Sequence, residues 1–247
     1  MTRLKKRAKG IETDRTIILT LWAIGLLLHT MVLIQHISTP EGLNLQFYNA
    51  LSMVALLMAT ILFGATLRHP LENLAIAVLP ATAVSLILDQ MVPGAAVITI
   101  SANHALQIHI LISLLAYSLL TIAVLQAIVL AIQNRHLHNR HPGGLIRALP
   151  PLQLMENLLF QLIGIGFLLL SLALLSGFLF LEDIFAQRLV HKTVLSVSAW
   201  VIFAILLWGR WQYGWRGRTA VRWTIGGGVF LMLAYFGSKL VIELLLQ

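Results

Sequence analysis

The chain has 247 residues, of which 59% are hydrophobic and 11% charged, and its mean hydropathy is +0.89. Soluble globular proteins carry about 25% charged residues, so this composition excludes a soluble domain and indicates an integral membrane protein. The absence of cysteine excludes a disulfide scaffold and thiol redox chemistry. The net charge is +8, and the basic residues lie between apolar runs and not along one face. This distribution favours topology signals over a nucleic-acid surface.

Apolar segments long enough to cross a bilayer recur along the chain. A helix needs about 20 apolar residues to cross a hydrocarbon core of about 30 Å. Seven segments approach or exceed this length: residues 16–37, 47–67, 71–88, 104–132, 158–181, 192–209 and 221–246. Pro80 in the third segment predicts a kink there. The pattern predicts an all-α fold, a polytopic transmembrane helix bundle of about seven spans.

The first 15 residues are strongly basic and precede the first apolar segment. A basic start of this kind also opens a signal peptide, but no small-residue cleavage pattern follows and further spans do. We therefore expect residues 1–15 to form a basic cytoplasmic amino-terminal segment. Residues 16–247 are expected to form a single transmembrane domain.

The distribution of lysine and arginine predicts the orientation. With seven spans, 14 of the 17 basic side chains fall on one side of the membrane, and only Arg188, Lys192 and Lys239 fall on the other. Short loops rich in these residues stay cytoplasmic. We therefore expect a cytoplasmic amino terminus and an outer carboxy terminus.

This topology divides the nine histidines by membrane side. Four lie in cytoplasmic loops among arginines: His69, His136, His138 and His141. Solvation near lipid headgroups explains them better than a metal site does, because no carboxylate or thiolate accompanies them. The other five lie at outer helix ends or in the outer half of the membrane: His29, His36, His104, His109 and His191.

Two of the outer histidines lie deepest in the apolar zone. His109 begins a polar stripe at intervals of four residues that continues through Ser113, Tyr117 and Thr121. Such a stripe lies on one helix face and should point into the bundle, because polar groups that face lipid are costly. His29 lies at a similar depth in the first span. If the two helices are neighbours, the two imidazoles could meet.

Paired imidazoles on facing helices are what axial ligation of a b-type haem requires. His29 and His109 are therefore candidate iron ligands, with His191 as a weaker candidate and Lys192 placed to pair with a haem propionate. The alternative, that each histidine only forms a hydrogen bond to a neighbouring helix, is equally open for His29 and His109. It is favoured for His36 and His104, which lie near water.

Other chemistry is sparse. No zincin signature and no nucleophile elbow is present, so we expect no enzymatic activity. The lack of a buried carboxylate pair disfavours an ion or solute transporter. Three consecutive glycines, from Gly226 to Gly228, lie inside an apolar span, where close helix packing explains them better than phosphate binding.

Several stretches of the chain resemble one known family. They are HILISLLAY from His109 to Tyr117, KTVLSVSAW and LLWGRWQYGWRGR between Lys192 and Arg218, and LAYFGSK ending at Lys239. These stretches resemble cytochrome c assembly membrane proteins of the CcsA and HemX type, and are most similar to their small HemX-like inner-membrane branch. The resemblance covers nearly the whole chain.

The resemblance implies that haem is held near the outer membrane face for attachment to apocytochrome c. His109 occupies the position of the family's first outer haem-ligand histidine. Trp208 stands where CcsA relatives have a histidine at the inner end of the next conserved helix, and residues 182–191 lack their tryptophan-rich motif. Because only His109 carries over, the resemblance implies haem binding or an accessory role in assembly, and not complete haem transfer.

These observations predict a multi-pass protein of the bacterial cytoplasmic (inner) membrane. We expect it to bind or handle haem b non-covalently at the outer leaflet, as an accessory to cytochrome c assembly. Its expected partners are the lipid bilayer, haem and cytochrome-maturation or other membrane proteins, and no nucleic acid. The alternative is a cofactor-free scaffold or regulator of a partner, the role that HemX-type proteins suggest in haem biosynthesis.

Overall fold

The computed structural model describes residues 2–39, 42–44, 46–68, 72–91, 104–138, 150–180 and 187–237. Within these residues the chain forms seven α-helices: α1 Thr2–Ile37, α2 Phe47–Thr66, α3 Glu72–Met91, α4 His104–His138, α5 Leu152–Phe180, α6 Gln187–Tyr213 and α7 Gly217–Met232. A π-helical turn, Leu233–Gly237, follows α7. Beyond α1, the two-residue strands Ser38–Thr39 and Gly42–Leu43 pair antiparallel. The predicted all-α class is confirmed.

Six of the helices contain a stretch that is long and apolar enough to cross a membrane. These stretches are Arg15–Ile37, Phe47–Thr66, Leu74–Met91, Ala105–His136, Leu152–Leu179 and Lys192–Tyr213. The predicted seventh span, residues 221–246, begins within α7, but its part beyond residue 237 lies outside the described residues. The protein is therefore a polytopic membrane protein in contact with the lipid bilayer, and about seven spans agrees with its helices.

Several helices extend beyond the predicted apolar segments. Most of the basic segment 1–15 is helical and continuous with the first span, since α1 begins at Thr2. The fourth helix continues past Ile132, and the fifth begins six residues before Leu158. Backbone hydrogen bonds do not require apolar side chains, so hydropathy locates the membrane-embedded part of a helix and not its end. Pro80 lies within α3.

Helix α4 lies at the centre of the bundle. It packs most extensively against α5, and also against α7 and α2. Two buried glutamines hold its contact with α5 at the basic end: Gln126 donates to the carbonyl of Met155 at 3.1 Å, and Gln133 to that of Pro150 at 2.9 Å. Helix α1 packs on α2, and α6 packs on α5 and α7.

Consecutive helices run in opposite directions, which sorts their ends into two sets. We call the end that carries Arg15, Arg135 and the α6–α7 turn the basic end. The other end, which carries the carboxyl ends of α1, α3 and α5, is called the opposite end. Cross-helix bonds mark the two ends: Arg15 donates to the carbonyl of Thr66 at the basic end, and Gln90 donates to His36 at the opposite end.

The three consecutive glycines of α7 show why small residues are needed at this packing surface. A Cβ atom on Gly227 would lie 2.8 Å from Cζ of Phe203 on α6. A Cβ atom on Gly228 would overlap the side chain of Val124 on α4, whereas Gly226 has open space. The predicted role of the glycines in close helix packing is confirmed for Gly227 and Gly228.

Candidate functional site

His109 lies on α4, near the opposite end of the bundle, and contacts α5. Its Nδ1 atom is 2.9 Å from the Oγ atom of Ser176. The imidazole is half-buried, and the next serine on its face, Ser113, donates to the carbonyl of His109 itself. The polar stripe predicted from the sequence faces the bundle: Tyr117 is buried, and its hydroxyl donates to the carbonyl of Leu231 at 3.1 Å.

The contacts of Ser176 favour one position for the proton of His109. The Ser176 hydroxyl donates its one hydrogen to the carbonyl of Ala173 at 3.0 Å. With the hydroxyl hydrogen in this position, Ser176 Oγ accepts from Nδ1–H of His109. The lone pair of His109 is then on Nε2, for which no hydrogen-bond donor is found among the described residues. A ring fixed through Nδ1–H with Nε2 available has the arrangement of a metal-ligating histidine.

His29 has a different environment, on the other side of α2. It is buried, and its Nε2 atom is 2.8 Å from the Oγ atom of Ser52 on α2. A cavity of about 450 Å³ adjoins it between α1, α2 and α3, with an almost entirely apolar lining that includes Trp22 and Thr82. Only Nδ1 of His29 lacks a hydrogen-bond partner among the described residues, so ligation through this ring would use Nδ1.

The structure does not bring His29 and His109 together. Ser118 on α4 packs on α2, where its hydroxyl is 3.4 Å from the carbonyl of Val54. His109 is nine residues from Ser118, which places it on the opposite face of α4 at 100° per residue. Helix α2 therefore lies between α1 and α4 at this level. The condition for pairing, that the helices carrying the two histidines are neighbours, is not met.

His191 and Lys192 open the amino-terminal part of α6 at the same end of the bundle as His109. The side chain of His191 is outside the described residues, and Lys192 is half-buried. Further along α6, Trp200 stacks on Phe167 and its Nε1–H donates to Ser171 at 2.8 Å. This bond aligns α6 with α5, so that Lys192 lies roughly one turn beyond the level of Ser176, towards the opposite end.

A buried polar cluster near the opposite end was missed by the sequence analysis. Asp89 on α3 is 2% exposed, and neither carboxylate oxygen accepts a hydrogen bond from the described residues. His36 Nδ1 is 3.8 Å from its Oδ2 atom, while Gln90 Nε2 donates to His36 Nε2 at 3.0 Å. The four-residue spacing of Ser85 and Asp89 was the available signal, since it places both on one face.

The remaining histidines do not form a metal centre in the part of the chain that the structure describes. His136 is exposed, and its Nδ1 contacts the carbonyl of Ile132 on its own helix. The side chains of His104 and His138, and all of His69 and His141, lie outside the described residues. Among the described side chains, no group of three histidine or carboxylate residues could hold a metal ion.

The turn between α6 and α7 at the basic end is built around glycine and tryptophan. Gly214 and Gly217 have φ angles of 65° and 53°, which other residues rarely adopt. A Cβ atom on Gly209 would overlap the ring of Trp215, whose carbonyl accepts a hydrogen bond from Arg210 at 3.2 Å. The WGRWQYGWRGR stretch therefore stabilises this turn and lies far from His109.

Comparisons with known proteins agree with this architecture. The family model "Cytochrome C assembly protein" matches residues 18–246, which is most of the chain. The chain belongs to the cytochrome c assembly protein family. No solved structure matches it.

Individual relatives in this family differ in how much of the chain they cover. The inner membrane protein YpjD of Escherichia coli K12 is 33% identical over 224 residues, 90% of this chain and 85% of its own length. The cytochrome c biogenesis protein CcsA of Mesostigma viride is 33% identical over 91 residues, 36% of this chain and 30% of its own. Protein HemX of Brevibacillus brevis is 20% identical over 147 residues, 59% of this chain and 54% of its own.

Proposed function

We propose that this cytochrome c assembly family protein binds haem b non-covalently near the opposite end of the bundle, where His109 would hold the haem iron. The observation that carries the proposal is the pair of contacts at Ser176, which fits a His109 ring that donates through Nδ1–H and keeps its lone pair on Nε2. Neutral imidazole with an anchored second nitrogen is the form that ligates haem iron. Bound haem would supply an iron centre for presentation to an assembling cytochrome.

The residues around His109 fit this cofactor in part. Lys192 lies on α6 near the same end, where its ammonium group could pair with a propionate. His191 is the adjacent residue on α6 and is proposed as the second ligand, since α2 separates His29 from His109. The name CcsA, a cytochrome c biogenesis protein among the relatives, supports an accessory role in cytochrome c assembly.

We further propose that the protein is located in the inner membrane, as its relative YpjD is named, and that it acts without an enzymatic step. We infer that the basic end faces the cytoplasm, because 14 of the 17 lysines and arginines fall in the segments that the sequence predicts on that side. His109 would then lie towards the outer leaflet. Cytochrome-maturation proteins or other membrane proteins would be its partners there, and nucleic acid would not.

A cofactor-free scaffold or regulator is the second candidate function. The observation that favours it is that both deep histidines already bond a serine on a neighbouring helix, His29 to Ser52 and His109 to Ser176. Such bonds contribute about 0.6 kcal/mol each between membrane helices. The similarity to HemX agrees with this alternative as well as with haem handling.

Haem content of the purified protein distinguishes the two functions. The full chain is expressed with ample haem, purified in detergent, and assayed for non-covalent haem by extraction. Haem near one equivalent in the wild type, lost in His109→Ala but retained in His136→Ala, supports the proposal. His136 is a matched control because it lies at the basic end of the same helix. A wild type without haem, if correctly folded, rejects haem binding in favour of the scaffold.

A further inference from the structure

A second cavity lies at the basic end of the bundle, far from His109. It has a volume of about 500 Å³ and lies between α4, α5 and α7. Three arginines line it: Arg135 from the end of α4, and Arg218 and Arg222 from consecutive turns of α7. From the sequence alone, these arginines are interpreted as signals of membrane orientation. Their convergence on one cavity is a property of the fold.

The charge of this cavity is strongly unbalanced. Among the described lining residues, Glu156 is the only acidic one, against three guanidinium groups. Among the described residues, no carboxylate lies within 4.0 Å of Arg135, Arg218 or Arg222. Guanidinium groups bind phosphate through paired, charge-assisted hydrogen bonds, so this arrangement is suited to an anion.

The carboxylate of Glu156 is bound at the amino terminus of α7, beside this cavity. Its Oε1 atom accepts a hydrogen bond of 2.7 Å from the backbone N–H of Gly217, the first residue of α7. Negative groups are stabilised at a helix amino terminus, where N–H groups point outwards. The carboxylate already occupies one of these donors, and its negative charge opposes any further anion in the cavity.

Apart from Asn134 and Gly217, the other described lining residues are apolar. Leu130, Leu152 and Val221 come from the three helices that enclose the cavity. The site therefore combines guanidinium groups with a hydrocarbon surface. A ligand that matches both parts carries a phosphate next to an acyl chain.

We propose that this cavity binds the phosphate group of an anionic phospholipid, held by Arg135, Arg218 and Arg222, with its first acyl carbons against the apolar wall. Basic pockets between membrane helices bind anionic lipid headgroups in this way. The ligand would connect the ends of α4 and α7 and stabilise their packing. This site is independent of the proposed haem site, which lies at the other end of α4.

Native mass spectrometry of the full chain in detergent tests the proposal. The protein is titrated with phosphatidylglycerol and, separately, with phosphatidylcholine of the same chains. The wild type should retain one phosphatidylglycerol with an affinity on the order of tenfold above phosphatidylcholine. Replacing all three arginines (Arg135→Gln, Arg218→Gln, Arg222→Gln) should remove this preference. Arg216→Gln should keep it, because Arg216 is an exposed neighbour that does not line the cavity.

A substitution of opposite sign separates electrostatics from misfolding. Glu156→Gln removes the one negative side chain from the cavity, so binding of phosphatidylglycerol should become several-fold tighter. General damage to the fold would weaken binding instead. Thermal unfolding of each variant is measured in parallel, and Arg222→Gln alone is used if the triple variant does not fold.

Inorganic phosphate distinguishes the source of the phosphate group. If the lipid is the ligand, millimolar inorganic phosphate should displace phosphatidylglycerol only weakly, because it cannot use the apolar wall. Saturation by inorganic phosphate with no binding of phosphatidylglycerol would overturn the lipid proposal in favour of a soluble phosphate. Equal binding of the two lipids, or an unchanged preference in the arginine variants, would overturn the site itself.

Discussion

The Nδ1 atom of His109 lies 2.9 Å from the Oγ atom of Ser176, and the contact joins α4 to α5 near the opposite end of the bundle. The serine hydroxyl is itself fixed by the carbonyl of Ala173 on its own helix. This chain of two hydrogen bonds orients the imidazole and fits the tautomer that has its lone pair on Nε2. The proposed haem site depends on this pair more than on any other contact.

Replacing Ser176 with alanine should weaken haem binding without removing it. The change deletes the acceptor that orients Nδ1–H of His109, and loss of such a supporting bond typically costs 10–100-fold in affinity at a metal site. Titration of the purified protein with haem, followed by absorbance, measures the effect. We expect a loss of about tenfold or more in Ser176→Ala.

Ser171→Ala provides the matched control for this change. Ser171 lies five residues earlier on α5 and accepts a hydrogen bond from Trp200, so its loss also removes one interhelical bond. The two serine variants should lose similar stability, about 0.6 kcal/mol each. Equal haem affinities in the two variants would show that Ser176 has no special relation to the ligand.

Replacing His29 with alanine should leave a haem spectrum that depends on His109 unchanged. The structure places α2 between the helices that carry the two residues, and His29 bonds Ser52 on α2. The variant should lose stability, because Ser52 remains buried without its partner. Absorption spectra and thermal unfolding of the same preparations provide both readouts. A lost or high-spin spectrum in folded His29→Ala would instead support the bis-histidine pair expected from the sequence.

Sequence predicts the spans and the direction of the His109 face well, because both depend on local patterns. A run of apolar residues identifies a span, and four-residue spacing places His109 and Tyr117 on one face. Neither pattern states which helix that face meets. The contact of His109 with Ser176 and the position of α2 between α1 and α4 depend on how the helices pack. The burial of Asp89 depends on the contact between α1 and α3. Such facts are properties of the assembled bundle.

Gly228→Ala should destabilise the protein, whereas Gly226→Ala should not. A Cβ atom at position 228 would overlap Val124 on α4, and overpacking of this kind typically costs 1–3 kcal/mol. The same change at position 226 meets open space, and alanine is the better helix former by about 0.5–1 kcal/mol. Thermal unfolding in one detergent compares the pair. Similar melting temperatures for both variants would contradict the packing of α7 on α4.

The orientation of the bundle is tested by reporter fusions. A reporter that is active only outside the cytoplasm should be silent within residues 136–147 and active after Gln247, because 14 of the 17 lysines and arginines fall in segments predicted to be cytoplasmic. A cytoplasmic reporter at the same positions serves as the converse control. The reverse pattern would place His109 towards the inner leaflet and reject the proposed outer-leaflet site.

The absorption spectrum of the haem-loaded protein tests the central claim, ligation by His109, most directly. The wild type should show the Soret band of a low-spin haem. A variant with Arg216→Ala and Arg218→Ala, both at the basic end, should show the same band. His109→Ala should lose or shift this band, and added imidazole should restore it by occupying the vacated ligand position. A folded His109→Ala protein with the wild-type spectrum, or a folded wild-type protein that takes up no haem, would contradict the claim.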